Sequence, residues 1–279
     1  MSASGTEGHA PSLTEAADRA LATQGERVAI FTWNGEDYVA KRVTPKARGV
    51  LKRTLLSLSG RLLFPGHVLR GGTRPGDGRF EAGRIRSLQA AGVRVPRVVQ
   101  ESPHAVVYSH CGTTLSLYLA RQPAAVRASV IVQALDDLAA FHRAGHWHGG
   151  AQFRNLLVSM NPEGRLDTAS GFCRIDFEED LGGQFSLPLL QMYDLCLFLM
   201  DALTHAPNPD QATHFGLGLL QRYRQVCWSP THGRLLRRLA RMLYPARMLE
   251  PLLARKAHNE IRRTLALARL LDLARADTQ

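Results

Sequence analysis

The feature that most constrains the fold is a polar loop, 148–155, inside a part of the chain that is otherwise patterned as helix. From Leu115 onward, apolar residues recur mostly at helical spacing. Two short apolar runs, 156–160 and 173–177, follow the loop and predict a short β-hairpin. The sequence therefore predicts a mostly helical second half in which the loop and the hairpin are the exceptions.

The first half of the chain carries the signals of a small sheet. The dipeptide Asn34-Gly35 separates two runs rich in β-branched and aromatic residues, and it is typical of a two-residue hairpin turn. Ser12 and Glu15 have the spacing of a helix capping box, and Gly92 ends a later helical pattern. We predict helices at 12–22 and about 79–91, and strands at 28–33, 37–43, 93–99 and 105–108.

This order of elements predicts an α+β protein with two lobes. Residues 1–11 form a tail, 12–110 a small β-rich lobe and 111–279 a larger helical lobe. The first lobe carries a basic amphipathic insertion at about 43–78.

Composition places the protein in a reducing compartment. Its four cysteines lie far apart without a C-x-x-C pair, which argues against a zinc site or a disulfide framework. The first eleven residues lack the features of a signal peptide, and we see no uncharged apolar run of about 18 residues. We therefore expect a cytoplasmic protein without a membrane-spanning helix.

The net charge of +11 favours a phosphate-rich partner such as nucleotide, anionic lipid or nucleic acid. Leu55 and Leu58 share a helical face in the basic stretch 43–63, which predicts contact with an anionic membrane or substrate. The stretch 233–276 also combines leucines with many arginines, although its leucines could instead pack on the core. Aromatic residues make up only 7% of the chain and are not interleaved with the basic runs, so stacking on nucleic-acid bases is poorly supported.

Two oxygen-bearing residues frame the predicted hairpin. Asp176 ends an apolar strand, and Asn155 closes the polar loop. Carboxylate and amide oxygens suit Mg²⁺, which prefers few protein ligands together with phosphates and water. The histidines at 142, 146 and 148 do not have the spacing of a zinc helix, and we interpret them as structural.

Together these residues resemble the protein-kinase-like superfamily over roughly residues 25–205. The loop matches H-x-D-x-x-x-x-N at His148 and Asn155, and Asp176-Phe177 matches the later Asp-Phe. Lys41, in the run Val39-Ala40-Lys41, corresponds to the strand lysine of that family, which is held by a helix glutamate. The resemblance implies that Glu81, on the next predicted helix, is this partner. Among its members, the chain looks most like bacterial lipopolysaccharide core (Kdo or heptose) kinases and small atypical RIO-like kinases.

The resemblance implies ATP, magnesium and phosphoryl transfer to a hydroxyl. It also implies that the buried acid Asp194, on an apolar helix, accepts hydrogen bonds from the loop backbone. The implied site residues are Lys41, Glu81 and Gly25 for the nucleotide, Asn155, Asp176 and Glu178 for the metal, and His148, Gly150, Gln152 and Arg154 for catalysis.

One position departs from the family pattern. Gly150 stands where the catalytic aspartate should be. Three hypotheses follow: an active kinase of a lipid-linked or saccharide acceptor at the cytoplasmic face of the inner membrane, a nucleotide-binding pseudokinase, and a basic RNA-associated protein. Gln152 and Arg154 lie in the same loop and are candidates to orient an acceptor or to stabilise transferred charge.

Overall fold

The structure is a computed structural model that describes residues 11–43, 64–69, 78–161, 163, 166–167, 171–178, 181, 183–248, 250 and 258–276. The chain divides into two compact units. Unit 1 comprises residues 1–46 and 76–111, and unit 2 comprises 47–75 and 112–279. Most of the predicted tail and the predicted amphipathic stretch 44–63 lie outside the described residues.

Unit 1 is built on an antiparallel sheet with the strand order β1-β2-β4-β3. Its strands are β1 (Val28–Trp33), β2 (Glu36–Arg42), β3 (Val98–Glu101) and β4 (Ala105–Ser109). Asn34 and Gly35 both have positive φ and join β1 to β2 as the predicted tight turn, with Trp33 opposite Glu36.

Two helices accompany this sheet. Helix α1 (Leu13–Gln24) begins with the predicted capping box and buries Ala17 and Leu21 against apolar residues of β1, β2 and β4. Helix α2 (Gly78–Ala90) buries Ile85 and Leu88, and the chain turns away from it at Gly92, where φ is +78°.

The strand predicted at 93–99 is displaced. Residues 93–97 are not in a strand, and β3 starts only at Val98. Pro96 lies in the middle of the predicted run and has no N–H to donate to a neighbouring strand. Pairing with β4 therefore begins after the proline.

Unit 2 is mainly helical, with a small sheet of order β5-β6-β7. Its strands are β5 (Thr113–Thr114), β6 (Leu156–Val158) and β7 (Cys173–Arg174). Strands β6 and β7 form the predicted antiparallel hairpin. Its helices include α3 (Leu115–Ala120), α4 (Ala124–Arg143), α5 (Leu187–Thr204), α6 (Ala212–Val226), α7 (Pro230–Met248) and α8 (Asn259–Ala276).

Helix α5 forms the centre of unit 2. Leu195, Phe198 and Leu199 are almost completely buried, as is the carboxylate of Asp194. Among the described residues, α5 is the one helix long and apolar enough to cross a membrane by length and composition, but most of it is buried inside the protein. This burial is the pattern of a core helix.

The end of the predicted insertion belongs to unit 2 rather than to the β-rich unit. The N–H of Leu69 donates to the carbonyl of Gln184 at 2.7 Å, and the N–H of Ser186 donates to that of His67 at 2.8 Å. This segment is therefore fixed to the chain that leads into α5. The protein as a whole is α+β, with a small antiparallel sheet in one unit and a mainly helical second unit, as predicted.

Candidate functional site

Unit 1 contributes a buried ion pair. Strand β2 carries Lys41, and the first turn of α2 carries Glu81; the Nζ to Oε2 distance is 2.8 Å. Both residues are buried, at 8% and 2% exposure. The predicted pairing is thus confirmed. A buried charge needs such a partner, and the glutamate fixes where the lysine nitrogen lies.

Gly25 has a structural role in the same unit. It caps the C-terminus of α1 with φ of +66°, and its N–H donates to the carbonyl of Leu21. That N–H is already engaged, so it has no proton left for a phosphate oxygen. The nucleotide-binding role of Gly25 remains a prediction, and this capping role weakens its basis.

In unit 2, the side chain of Asp194 stabilises the polar loop 148–155. The carboxylate accepts hydrogen bonds from the N–H groups of His148 and Gly149, the latter at 2.8 Å. Gly149 has φ of +90°, a conformation that favours glycine. The predicted structural role of Asp194 is confirmed, and it fixes the first part of the loop through the main chain.

A second carboxylate, Asp201, was missed from the sequence. It follows Asp194 by seven residues, which is about two helical turns, so both acids lie on one face of α5. Its Oδ2 accepts from the N–H of Phe153 at 2.6 Å, and its other oxygen pairs with Arg263 of α8. This spacing on an apolar helix was the signal that could have revealed it.

Burial raises the pKa of Asp201, although the Phe153 N–H and Arg263 oppose that shift. For Asp194, burial also favours the neutral acid, but the interactions with His142 and His148 outweigh it and lower the pKa. Asp194 is therefore ionised, as expected for a carboxylate that accepts main-chain hydrogen bonds.

The two predicted oxygen ligands lie on neighbouring chain segments. The N–H of Ile175, directly before Asp176, donates to the carbonyl of Asn155 at 3.1 Å. The Asn155 amide nitrogen donates to the carbonyl of Gly150 at 2.9 Å, which orients the amide group. Asp176 has φ of +67°, a strained conformation for a residue with a side chain. Such strain is concentrated at functional sites.

The remaining loop residues have different environments. His148 is buried, and its ring lies 4.4 Å from that of Phe177. Glu178 is also buried. Gln152 is half-buried and Arg154 is exposed. Hydrogen bonds thus join Asn155 to Gly150 and to Ile175, next to Asp176, while the chemical roles of all these residues remain predictions.

His142 lies beside the carboxylate that supports the loop. His142 Nδ1 lies 2.7 Å from the Tyr223 hydroxyl, and its Nε2 lies 3.5 Å from Asp194. Burial lowers the pKa of His142, so the ring is neutral beside the ionised acid. No group of three or more His, Cys, Asp or Glu in the described part of the chain is arranged to hold a metal ion.

Comparison with known proteins gives a distant likeness among solved structures. No family model and no curated protein matches the chain. Among solved structures, it is similar to the crystal structure of an aminoglycoside-3'-phosphotransferase of type VIII, with 16% identity and a TM-score of 0.42 over 92% of this chain and 97% of that one. At this TM-score the likeness establishes neither family nor activity.

Proposed function

We propose that the protein is a kinase-like phosphotransferase that uses ATP and magnesium to phosphorylate a hydroxyl group. The observation that carries this proposal is the arrangement of Asn155 and Asp176. Main-chain hydrogen bonding places these two oxygen-bearing residues on adjacent segments, and Asp176 adopts a strained backbone conformation there.

Asn155 and Asp176 carry the oxygen ligands that a magnesium ion prefers. The nitrogen of the Asn155 amide is bound to Gly150, so the group's remaining polar atom is an oxygen. The carboxylate of Asp176 supplies a second oxygen. Magnesium bound there would neutralise the charge on nucleotide phosphates.

Lys41 supplies the complementary function in unit 1. Its ammonium group is a compact point charge suited to phosphate oxygens, and Glu81 restricts its position. Holding phosphate charge at a fixed place is the main task of a phosphotransferase, because the transition state is loose and demands little covalent chemistry from the protein.

Gly150 determines how the acceptor hydroxyl can be activated. No carboxylate stands at this position, so proton removal cannot be assigned to it. Alignment and charge neutralisation remain, and a general base typically contributes about 10²–10⁴-fold to rate. We therefore propose slow turnover, with Gln152 and Arg154 of the same loop as the side chains that orient an acceptor or stabilise transferred charge.

For the acceptor, we propose a lipid-linked or saccharide hydroxyl at the cytoplasmic face of the inner membrane. Support comes from the basic composition and the amphipathic pattern of 43–63, which lies outside the described residues. Phosphate transfer from labelled ATP to a whole-cell lipid extract tests this part of the proposal.

The nucleotide site itself is tested by thermal shift with ATP, with and without magnesium. Asp176→Asn should lose most of the magnesium-dependent shift, because an amide is a poorer ligand than a carboxylate. Asp210→Asn, at an exposed position, is the matched control and should keep the full shift. Equal shifts in both variants would remove Asp176 from the metal site.

A second candidate is a pseudokinase that binds nucleotide without transferring phosphate, and Gly150 is the observation that favours it. ATP binding without transfer to any lipid, sugar or protein acceptor would support this reading.

A third candidate, an RNA-associated protein, rests only on the basic charge. Two binding assays separate this candidate from the first. A gel shift with RNA would support the RNA-associated protein, and co-sedimentation with liposomes would support the kinase that acts at the membrane.

A further inference from the structure

Unit 2 contains a cavity that the proposed phosphotransferase site does not use. Its volume is about 290 Å³, at the lower end for small-molecule sites. One wall is helix α7 and the other is the segment 64–67. The lining residues are Phe64, Pro65, His67, Arg234, Leu235, Arg237, Arg238 and Arg241.

The four arginines form one face of α7. Their numbers follow the helical repeat i, i+3, i+4, i+7, so their side chains are neighbours. Like charges at these spacings repel each other and destabilise a helix. Within the described residues, Arg234, Arg237 and Arg241 form no ion pair with an acidic side chain. The repulsion between these arginines destabilises the helix, and a bound anion would reduce that repulsion.

The opposite wall is fixed in place. His67 Nδ1 lies 2.8 Å from the Ser186 hydroxyl, and its carbonyl accepts from the Ser186 N–H at 2.8 Å. Val68, the next residue, packs against the apolar cluster of Leu181, Phe185 and Leu190. The main chain of this wall is therefore held against the segment that leads into α5, and it faces the exposed side chains of Arg234, Arg237 and Arg241.

The positive charge acts on the cavity wall. The pKa of His67 is lowered first by burial and then by the charges of Arg234 and Arg238. The field inside the cavity therefore favours an anion.

We propose that this cavity binds a phosphate-bearing ligand at a site separate from the proposed nucleotide site. Arginine guanidinium groups bind phosphate oxygens in pairs of hydrogen bonds and suit this task better than lysine. Phe64, Pro65 and Leu235 give the cavity an apolar side, which suits the carrier of the phosphate. The carrier is either a soluble compound or a lipid.

The test compares two double variants with the same change in charge. Arg234→Gln with Arg237→Gln removes two cavity arginines, whereas Arg121→Gln with Arg262→Gln removes two exposed arginines elsewhere in unit 2. Pyrophosphate binding is measured by calorimetry on the full chain. We expect the cavity variant to weaken binding by about tenfold or more, because each lost bond is charge-assisted. The control variant should bind as the wild type does.

A second arm separates the two sources of phosphate. Phosphatidylcholine vesicles with and without phosphatidic acid are sedimented with each variant. A lipid ligand predicts that recruitment by phosphatidic acid is lost in the cavity variant only. A soluble ligand predicts the pyrophosphate result with no such difference between variants.

The proposal is overturned if the wild type binds neither probe, or if the cavity variant and the control behave alike with both. Arg241→Gln provides a milder single substitution should the double variant unfold, and it should weaken pyrophosphate binding in the same direction. None of these changes touches Lys41, Asn155 or Asp176. Failure of the proposed phosphotransferase activity would therefore leave this result interpretable.

Discussion

The ion pair between Lys41 and Glu81 should contribute separately to stability and to nucleotide binding. Lys41→Met removes the cation and leaves a carboxylate whose side chain is only 3% exposed. Breaking a buried pair from one side costs about 3–5 kcal/mol. The lysine side chain keeps 10% exposure, so water can partly reach the site, and we expect the lower end of that range.

A destabilisation of about 3 kcal/mol should lower the melting temperature by roughly 6–12 °C for a domain of this size. Replacing both partners, as Lys41→Met with Glu81→Leu, removes the uncompensated charge. Stability should then return towards the wild-type value, because a buried pair replaced by apolar residues is often neutral in free energy.

Nucleotide binding should not return with it. A ligand at one hundred times its Kd stabilises the folded state by about 2.7 kcal/mol. Scanning fluorimetry with and without magnesium-ATP should show this shift in the wild type and in the exposed-cation control Arg19→Met, and in neither Lys41 variant. A double variant that regains stability and also keeps the full magnesium-ATP shift would refute the phosphate-binding role of Lys41.

Three further outcomes are expected. Gly150→Asp should raise the transfer rate and isosteric Gly150→Asn should not, because only the carboxylate can act as a general base. A side chain fits at this position, since its Cβ would meet the Asn155 amide nitrogen at 3.3 Å and needs only a small shift. Equal transfer rates in the two variants would argue against a base at this position. Unfolding free energy should fall as pH drops below about 6.5, because burial lowers the folded-state pKa of His142 and the unfolded state then binds the extra proton. Urea midpoints at about pH 7.5 and about pH 5.5 measure this loss, and His142→Gln should reduce it. Leu55→Glu with Leu58→Glu should release the protein from anionic vesicles and leave ATP binding intact; vesicle binding that persists would contradict the membrane role of 43–63.

Local chemistry made much of the fold predictable. Asn34-Gly35 dictates a turn whose positive φ angles few other residue pairs tolerate, and the strands beside it follow from their alternation. The Lys41–Glu81 pair was predicted from the resemblance to the protein-kinase-like superfamily, in which a helix glutamate holds the strand lysine. The displaced strand at 93–99 shows the limit, since the apolar pattern outweighed Pro96 in the prediction.

Long-range contacts in the site were harder to predict. The hydrogen bond between Asp201 and Phe153 spans 48 residues, and that between His142 and Tyr223 spans 81. Periodicity identifies which face of a helix is buried, but not which loop it meets. The arginine-lined cavity was out of reach for the same reason, because its second wall comes from a segment far from α7 in sequence.

The support of the loop by Asp194 has an evolutionary consequence. The carboxylate accepts from the main-chain N–H groups of His148 and Gly149, so these two hydrogen bonds do not depend on the side chain at position 150. Mutations at position 150 can therefore accumulate with little penalty to folding. Descendants of one ancestor could lose an acid there, or regain it, while keeping the same backbone.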